Sequence, residues 1–68
     1  MRMIEVSARI TALSAIVFEM DRKAKLYRIR VYKKPDLFTP PVLVSEHYAS
    51  DFGSASRMYH ELRKEGTL

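Results

Sequence analysis

The sequence predicts an α+β fold: a small antiparallel β-meander of three to four strands, the first one long or bulged, with one C-terminal helix packed on one face. Three observations predict it. Apolar and polar residues alternate through the first half of the chain, and a polar segment divides this region into the arms of a hairpin. The last third carries apolar residues at helical spacing. The 68 residues are expected to form a single domain, residues 1–68.

The hairpin spans residues 15–34, with a polar turn at residues 21–25. In one register, three apolar pairs share a face: Met20 with Tyr27, Phe18 with Ile29, and Ile16 with Val31. The same register places Glu19 opposite Arg28 on the other face. A slip by one residue would turn Arg28 and Arg30 into the core, so this register is strongly favoured.

The alternation begins well before the hairpin. Every even position from Ile4 to Met20 is apolar except Ser14. This pattern predicts either one long strand, bent or bulged near residues 11–14, or two strands joined by a tight turn there. The stretch contains no Gly, Pro, Asn or Asp, which favours the single strand. A helix over residues 8–17 is a third option, disfavoured because the alternation continues on both sides.

Residues 35–41 contain three prolines and predict a loop, because proline lacks a backbone donor and disfavours helix before it. Leu37 and Phe38 are apolar within this loop. We favour the interpretation that they cover the end of the core, and the alternative is an exposed contact with a partner. A strand over residues 42–49 follows, and the prolines predict that it begins at a sheet edge.

The C-terminal segment predicts an amphipathic helix. Its apolar stripe consists of Ala55, Met58, Tyr59 and Leu62. Asp51, Gly53 or Ser54 can cap the start of the helix. Arg63 and Lys64 fall in its last turn, and Gly66 is the predicted stop. Because the stripe must be buried, we expect the helix to pack on the apolar face of the sheet.

Composition restricts how such a small chain can be stabilised. A 68-residue domain buries only about 60% of its unfolded surface. The sequence has no cysteine for a disulfide, which fits a reducing compartment. Oligomerisation or a partner is therefore expected to supply stability, and a homodimer is one such arrangement. The longest uncharged run near the N-terminus, residues 10–18, is shorter than the roughly 20 residues of a membrane span, so we expect a cytoplasmic protein without membrane contact.

The formal net charge is +4, and seven of the twelve basic residues lie between Arg22 and Lys34 with no acid among them. This clustering predicts a positive potential over the hairpin turn and its second arm. Arg9 is expected on the same face as Arg28 and Arg30, away from the helix. The predicted site for nucleic acid or an acidic partner consists of Arg9, Arg22, Lys23, Lys25, Arg28, Arg30, Tyr32, Lys33 and Lys34. Within it, the ring of Tyr32 is placed to stack on a base.

No catalytic, cofactor or metal motif is present in the sequence. Ser45, His47 and Asp51 lie close together, but no element supplies an oxyanion hole. His47 and His60 fall on different predicted elements, without Cys or carboxylate partners at metal-binding spacing. The sequence therefore predicts a non-catalytic binding module that contacts nucleic acid backbone. The alternative is a protein–protein interaction module, an adaptor or small inhibitor of a larger, nucleic-acid-handling complex, in which the open sheet edge, Leu37 and Phe38, or the basic face contacts the partner.

Overall fold

The computed structural model describes residues 3–65 and consists of a four-stranded antiparallel sheet followed by one helix. The elements are β1 (Ile4–Ile10), β2 (Ser14–Asp21), β3 (Leu26–Lys33), β4 (Val42–Ala49) and α1 (Phe52–Glu65). The strands lie in the sheet in chain order, and α1 packs on one face against β2, β3 and β4. The predicted α+β meander with one C-terminal helix is confirmed. No helix among the described residues is long and apolar enough to cross a membrane.

The central hairpin has the predicted register. Met20 pairs with Tyr27, Phe18 with Ile29, Ile16 with Val31, and Glu19 with Arg28. The turn is held by Asp21, whose Oδ1 accepts hydrogen bonds from the backbone amides of Lys23 (2.9 Å) and Ala24 (3.2 Å). Lys25 closes the turn with φ of 52°, in the left-handed region that non-glycine residues rarely adopt. The alternation of apolar and polar residues thus favours this register, and the side chain of Asp21 stabilises the turn.

β1 and β2 are separate strands, so the favoured interpretation of a single strand through residues 11–14 is wrong. The tight turn between them is made by hydroxyl groups instead of Gly, Asn or Asp. Thr11 donates its amide to the Ser14 carbonyl oxygen (2.8 Å), and the Ser14 amide donates to Thr11 Oγ1 (3.1 Å). The two hydroxyl oxygens also lie 2.8 Å apart. These local bonds satisfy the backbone without the residues that usually mark a turn.

β1 contains a bulge at Val6, and this bulge changes which face its later residues occupy. Glu5 pairs with Glu19 on the face away from α1, whereas Ser7 pairs with Phe18 on the face that α1 covers. A bulge places two residues opposite one, so the alternation of faces shifts by one position. The expectation that Arg9 lies beside Arg28 and Arg30 is therefore wrong, because Arg9 pairs with Ile16 on the helix-covered face.

The core lies between the sheet and α1 and is centred on Phe18, which is 2% exposed. Its ring centroid lies 5.4 Å from that of Tyr59, 5.9 Å from Phe52 and 6.1 Å from Tyr27. The other buried apolar residues are Ile16, Ile29, Val31 and Ala55. Aromatic pairs at these separations contribute roughly 0.5–1.5 kcal/mol each beyond the area that they bury.

The start of α1 is capped by Asp51, one of the three predicted candidates. Its Oδ2 accepts a hydrogen bond from the Ser54 amide at 2.8 Å, the bond of an N-cap residue to the third residue of a helix. Hydrogen bonds from Ser54 lower the pKa of the Asp51 carboxyl, and Arg57 adds a smaller effect in the same direction. Arg63 and Lys64 occupy the last turn, as predicted. The predicted stop at Gly66 lies outside the described residues.

Candidate binding surfaces

The seven cations of the hairpin segment do not form one patch. Arg22, Lys23 and Lys25 are exposed in the turn between β2 and β3, at one end of the sheet. Lys33 and Lys34 lie at the opposite end of β3, eight residues away along the strand, which corresponds to roughly 25 Å. The sheet therefore separates charges that are contiguous in sequence.

Arg28 and Arg30 lie between those ends, on the face away from α1 as predicted, and each is paired with a carboxylate. Arg28 donates from Nε (3.2 Å) and Nη2 (2.9 Å) to Glu19 Oε1 on β2. Arg30 donates from Nε to Glu46 Oε2 on β4 at 2.7 Å. Residues 22–34 contain no acid, but two of their arginines form ion pairs with glutamates on the neighbouring strands.

The sheet face away from α1, here called the outer face, is crossed by three rows of facing residues. The rows are Glu5, Glu19, Arg28 and Tyr48; Ala8, Val17, Arg30 and Glu46; and Ile10, Ala15, Tyr32 and Leu43. Two arginines against three glutamates give these rows a formal charge of −1. The outer face carries both signs of charge beside an apolar row, and it does not concentrate positive charge.

Hydrogen bonds on the outer face favour the ionised forms of its charged groups. The pKa of Arg30 is raised by its hydrogen bond to the Tyr32 hydroxyl and then by Glu46. The pKa of Glu46 is lowered by the hydrogen bond that it accepts from the Tyr48 hydroxyl, and further by Arg30. Tyr32 is half-buried, and its hydroxyl lies 3.5 Å from Arg30 Nη1. The two arginines are thus held in a network within the sheet.

Exposed apolar side chains concentrate at one end of the sheet, where the β1–β2 turn and the β3–β4 loop meet. The chain itself joins these two segments, because the Lys34 amide donates to the Leu13 carbonyl oxygen (2.8 Å) and Lys34 Nζ donates to the Leu37 carbonyl oxygen (3.2 Å). The apolar end consists of Ile10, Leu13, Leu37, Phe38, Val42, Leu43 and Val44. These are seven of the eleven exposed large apolar residues among those described.

Leu37 and Phe38 are 60% and 96% exposed, so the favoured interpretation that they cover the core is wrong. Asp36 organises the loop that carries both side chains. Its Oδ1 accepts hydrogen bonds from the amides of Phe38 (2.8 Å) and Thr39 (2.8 Å) and from the Thr39 hydroxyl (2.9 Å). These bonds, led by the one from the Thr39 hydroxyl, lower the pKa of Asp36.

Both edge strands of the sheet carry a bulge. In β1 the extra residue is Val6, and in β4 it is Val44, since Val31 pairs with Ser45 and Tyr32 with Leu43. Bulges twist a strand edge and interrupt its ladder, and natural sheets use them to prevent pairing between edges. The exposed edges of β1 and β4 are therefore poorly suited to pairing with a strand of another chain.

A basic cleft of about 330 Å³ lies between β1 and the last turns of α1, and sequence reasoning missed it. It is lined by Arg9, His60, Arg63 and Lys64. Of these, only Arg9 was predicted as a site residue, and it was expected on the other face. The spacing of His60, Arg63 and Lys64 at i, i+3 and i+4 could have indicated that they share a helix face. The Val6 bulge that turns Arg9 towards them has no comparable sequence signal.

Ser45, His47 and Asp51, which lie close together in sequence, have local hydrogen-bond partners in the structure. His47 Nε2 and Ser45 Oγ lie 3.2 Å apart on β4, while the Asp51 carboxylate accepts from α1. No group of three or more His, Cys, Asp and Glu residues within residues 3–65 could hold a metal ion. Comparison of the chain with models of known protein families, with curated proteins and with solved structures finds no match.

Proposed function

We propose that this chain is a non-catalytic binding module that docks a protein partner through the apolar end of its sheet. The observation that carries the proposal is the 96% exposure of Phe38 in a loop held by Asp36. Large aromatic side chains dominate the energy of protein interfaces when they enter a pocket on the partner. A loop that is already ordered loses little conformational freedom on binding, so more of the contact energy appears as affinity.

The surroundings of Phe38 support a protein partner. The apolar end continues onto the outer face through Ile10 and Leu43, where Arg30 and Glu46 supply charges of both signs. Apolar contacts bordered by mixed charges are typical of protein interfaces, whereas a nucleic acid backbone requires an excess of cations. A second copy of the chain is one partner that fits this surface, and we further propose a cytoplasmic location because a cysteine-free chain needs no oxidising compartment.

The test compares Phe38→Ser with a matched control, Val6→Ser, which removes an exposed apolar residue far from the apolar end. Sedimentation velocity of each variant measures self-association, and affinity capture with each variant from a lysate of the source cells measures other partners. We expect Phe38→Ser to abolish dimer formation or capture of a specific partner, and Val6→Ser to retain it. Equal behaviour of the two variants would contradict the proposal.

A second candidate function is contact with nucleic acid backbone through the hairpin turn. It is favoured by the exposure of Arg22, Lys23 and Lys25 around a turn whose acid, Asp21, is 7% exposed and accepts hydrogen bonds from the turn itself. Three phosphate contacts predict that log K falls with log salt with a slope of about −2 to −3.

This candidate is tested by titrating single- and double-stranded oligonucleotides at low salt. Replacement of Arg22, Lys23 and Lys25 by Gln should remove binding and its salt dependence. The matched control replaces Lys33, Lys34 and Arg57 by Gln, with the same change in net charge. If the control loses as much affinity as the turn variant, binding follows net charge alone and the turn is not the site.

A further inference from the structure

We propose that the basic cleft binds a phosphate group. This inference goes beyond the docking of a protein at the apolar end, because the cleft lies on the helix side of the sheet and shares no residue with that end. Its four lining residues, Arg9, His60, Arg63 and Lys64, come from β1 and α1. No carboxylate among the described residues lines it.

The cleft is produced by two local features of the chain. The bulge at Val6 shifts the alternation of β1, so that Arg9 projects on the face that carries α1. On α1, His60, Arg63 and Lys64 occupy positions i, i+3 and i+4 and share one side of the helix. If all seven residues of β1 paired regularly from Ile4 opposite Met20, Arg9 would lie on the outer face, and the cations from the two elements would not meet.

Arg63 is held in place by a buried aromatic ring. Its guanidinium carbon lies 5.7 Å from the ring centroid of Tyr59, which is 4% exposed. The hydroxyl of Tyr59 lies 3.3 Å from Ser7 Oγ, so the ring is tied to β1 as well. A guanidinium that packs against a fixed ring has a restricted range of orientations for its remaining N–H donors, which favours a planar or tetrahedral oxyanion.

Arg63 also has a donor whose hydrogen-bonding capacity is unused. Its Nε is shielded from solvent and has no acceptor among the described residues. A donor in this state is unfavourable and marks a position where an acceptor would be stabilising. A phosphate oxygen supplies that acceptor after a small rotation of the guanidinium group, and its other oxygens accept from the remaining donors of the cleft.

The balance of charge in the cleft favours an anion. The C-terminal end of α1 contributes roughly half a negative charge, which opposes anion binding. Arg9 and Arg63 alone contribute two full positive charges around the same space, and Lys64 also lines it. The cations outweigh the dipole several-fold, and a phosphate dianion gains more from them than a singly charged carboxylate does. The volume of about 330 Å³ accommodates a phosphate group with part of the molecule that carries it.

The proposal is tested by NMR titration of the ¹⁵N-labelled protein with three probes: inorganic phosphate, a nucleoside monophosphate and a single-stranded 12-nucleotide oligomer. We expect saturable shifts of the Arg9, His60 and Arg63 signals. We also expect an increase in Kd of about fivefold or more in Arg9→Gln and Lys64→Gln. Both side chains are exposed, so these variants should fold. Arg57→Gln and Lys23→Gln are charge-matched controls outside the cleft.

Two results of this titration would contradict a phosphate site in the cleft. Shifts spread over all basic residues, or equal weakening by Arg57→Gln and Arg9→Gln, would overturn it. Saturation by inorganic phosphate and the monophosphate identifies a small-molecule source, whereas saturation by the oligomer alone identifies a nucleic acid backbone. Phe38→Ser should leave phosphate binding unchanged, so failure of the protein-docking proposal is distinguishable from failure of this one.

Discussion

In the turn between β2 and β3, Lys25 adopts its backbone conformation at an energetic cost. A φ of 52° is disfavoured for any side chain with a Cβ atom and is readily adopted by glycine. We expect Lys25→Gly to raise the free energy of unfolding by up to about 1 kcal/mol. Chemical denaturation measures the change.

Lys23→Gly is the control for Lys25→Gly, because Lys23 has no positive φ and its replacement removes the same charge. It should lower the free energy of unfolding or leave it unchanged. A stabilisation of equal size in Lys23→Gly would show that loss of charge, and not relief of the backbone, causes the effect.

We expect the order of the Phe38 loop to depend on pH through the carboxylate of Asp36. Its pKa is lowered in the folded protein by hydrogen bonds from the Thr39 hydroxyl and from the amides of Phe38 and Thr39. A lowered pKa means that the stabilisation is fully present above the unfolded carboxyl value, roughly 3.9, and is lost as pH falls through the folded value. We expect the amide signals of Phe38 and Thr39 to move towards random-coil positions in that acidic range.

The matched variant for this pH effect is Asp36→Ala, which removes the acceptor at every pH. Its Phe38 and Thr39 amide signals should lie near random-coil positions at pH 7 and change little on acidification. Retention of the wild-type signals in Asp36→Ala would contradict the assignment of loop order to this carboxylate.

At the scale of the element, the Val6 bulge admits a direct test by deletion. Removing Val6 makes Glu5 and Ser7 consecutive, opposite Glu19 and Phe18, which are already consecutive. We therefore expect the deletion variant to fold with the same pairs in a regular β1. A regular edge pairs more readily with other chains, so self-association at high concentration should increase. NMR cross-strand contacts and sedimentation velocity measure the two effects.

The corresponding deletion of Ala8, which lies in the regular part of β1, is the control. It should shift every residue on one side of it to the opposite face and destabilise the strand. A Val6 deletion that disrupts β1 as severely as the Ala8 deletion would show that the bulge is required for folding.

The strength of the sequence signal differs between elements. The register of β2 and β3 could be predicted because one pairing buries Phe18 and Ile29 and also joins Glu19 to Arg28. The turn that begins at Thr11 could not be predicted, because hydroxyl groups make its hydrogen bonds in place of the usual turn residues. The bulge at Val6 also has no signal in the sequence, because valine is common in regular strands.

The residues of the binding surfaces could be predicted only in part, for two separate reasons. Arg9 was assigned to the wrong face because the bulge was not foreseen, and so its meeting with Arg63 was missed. Phe38 was assigned to the core because an apolar side chain near the end of a sheet usually helps to cover it. In the structure Phe38 is instead 96% exposed, in a loop whose backbone donates hydrogen bonds to Asp36.

For the molecule as a whole, stability depends heavily on one side chain. A 68-residue protein has a free energy of unfolding of roughly 3–10 kcal/mol. Phe18 is 2% exposed and contacts three other rings, so Phe18→Ala should cost about 3–5 kcal/mol. We expect this variant to be largely unfolded at 37 °C by circular dichroism.

Phe52→Ala is the comparison for Phe18→Ala, because Phe52 belongs to the same aromatic cluster but is 54% exposed. It should lower the melting temperature by a smaller amount and leave the protein folded at 37 °C. Equal destabilisation by the two substitutions would contradict the central position of Phe18 in the core.

The order of the strands has a consequence for how the chain reaches this structure. Each strand bonds to the one made just before it, so the sheet can assemble hairpin by hairpin as a nascent chain emerges, without waiting for a distant segment. The covering helix is the last of the described elements to be synthesised. Until it arrives, the rings of Phe18 and Tyr27 are open to water, and during that interval the chain is most exposed to aggregation or to capture by a chaperone.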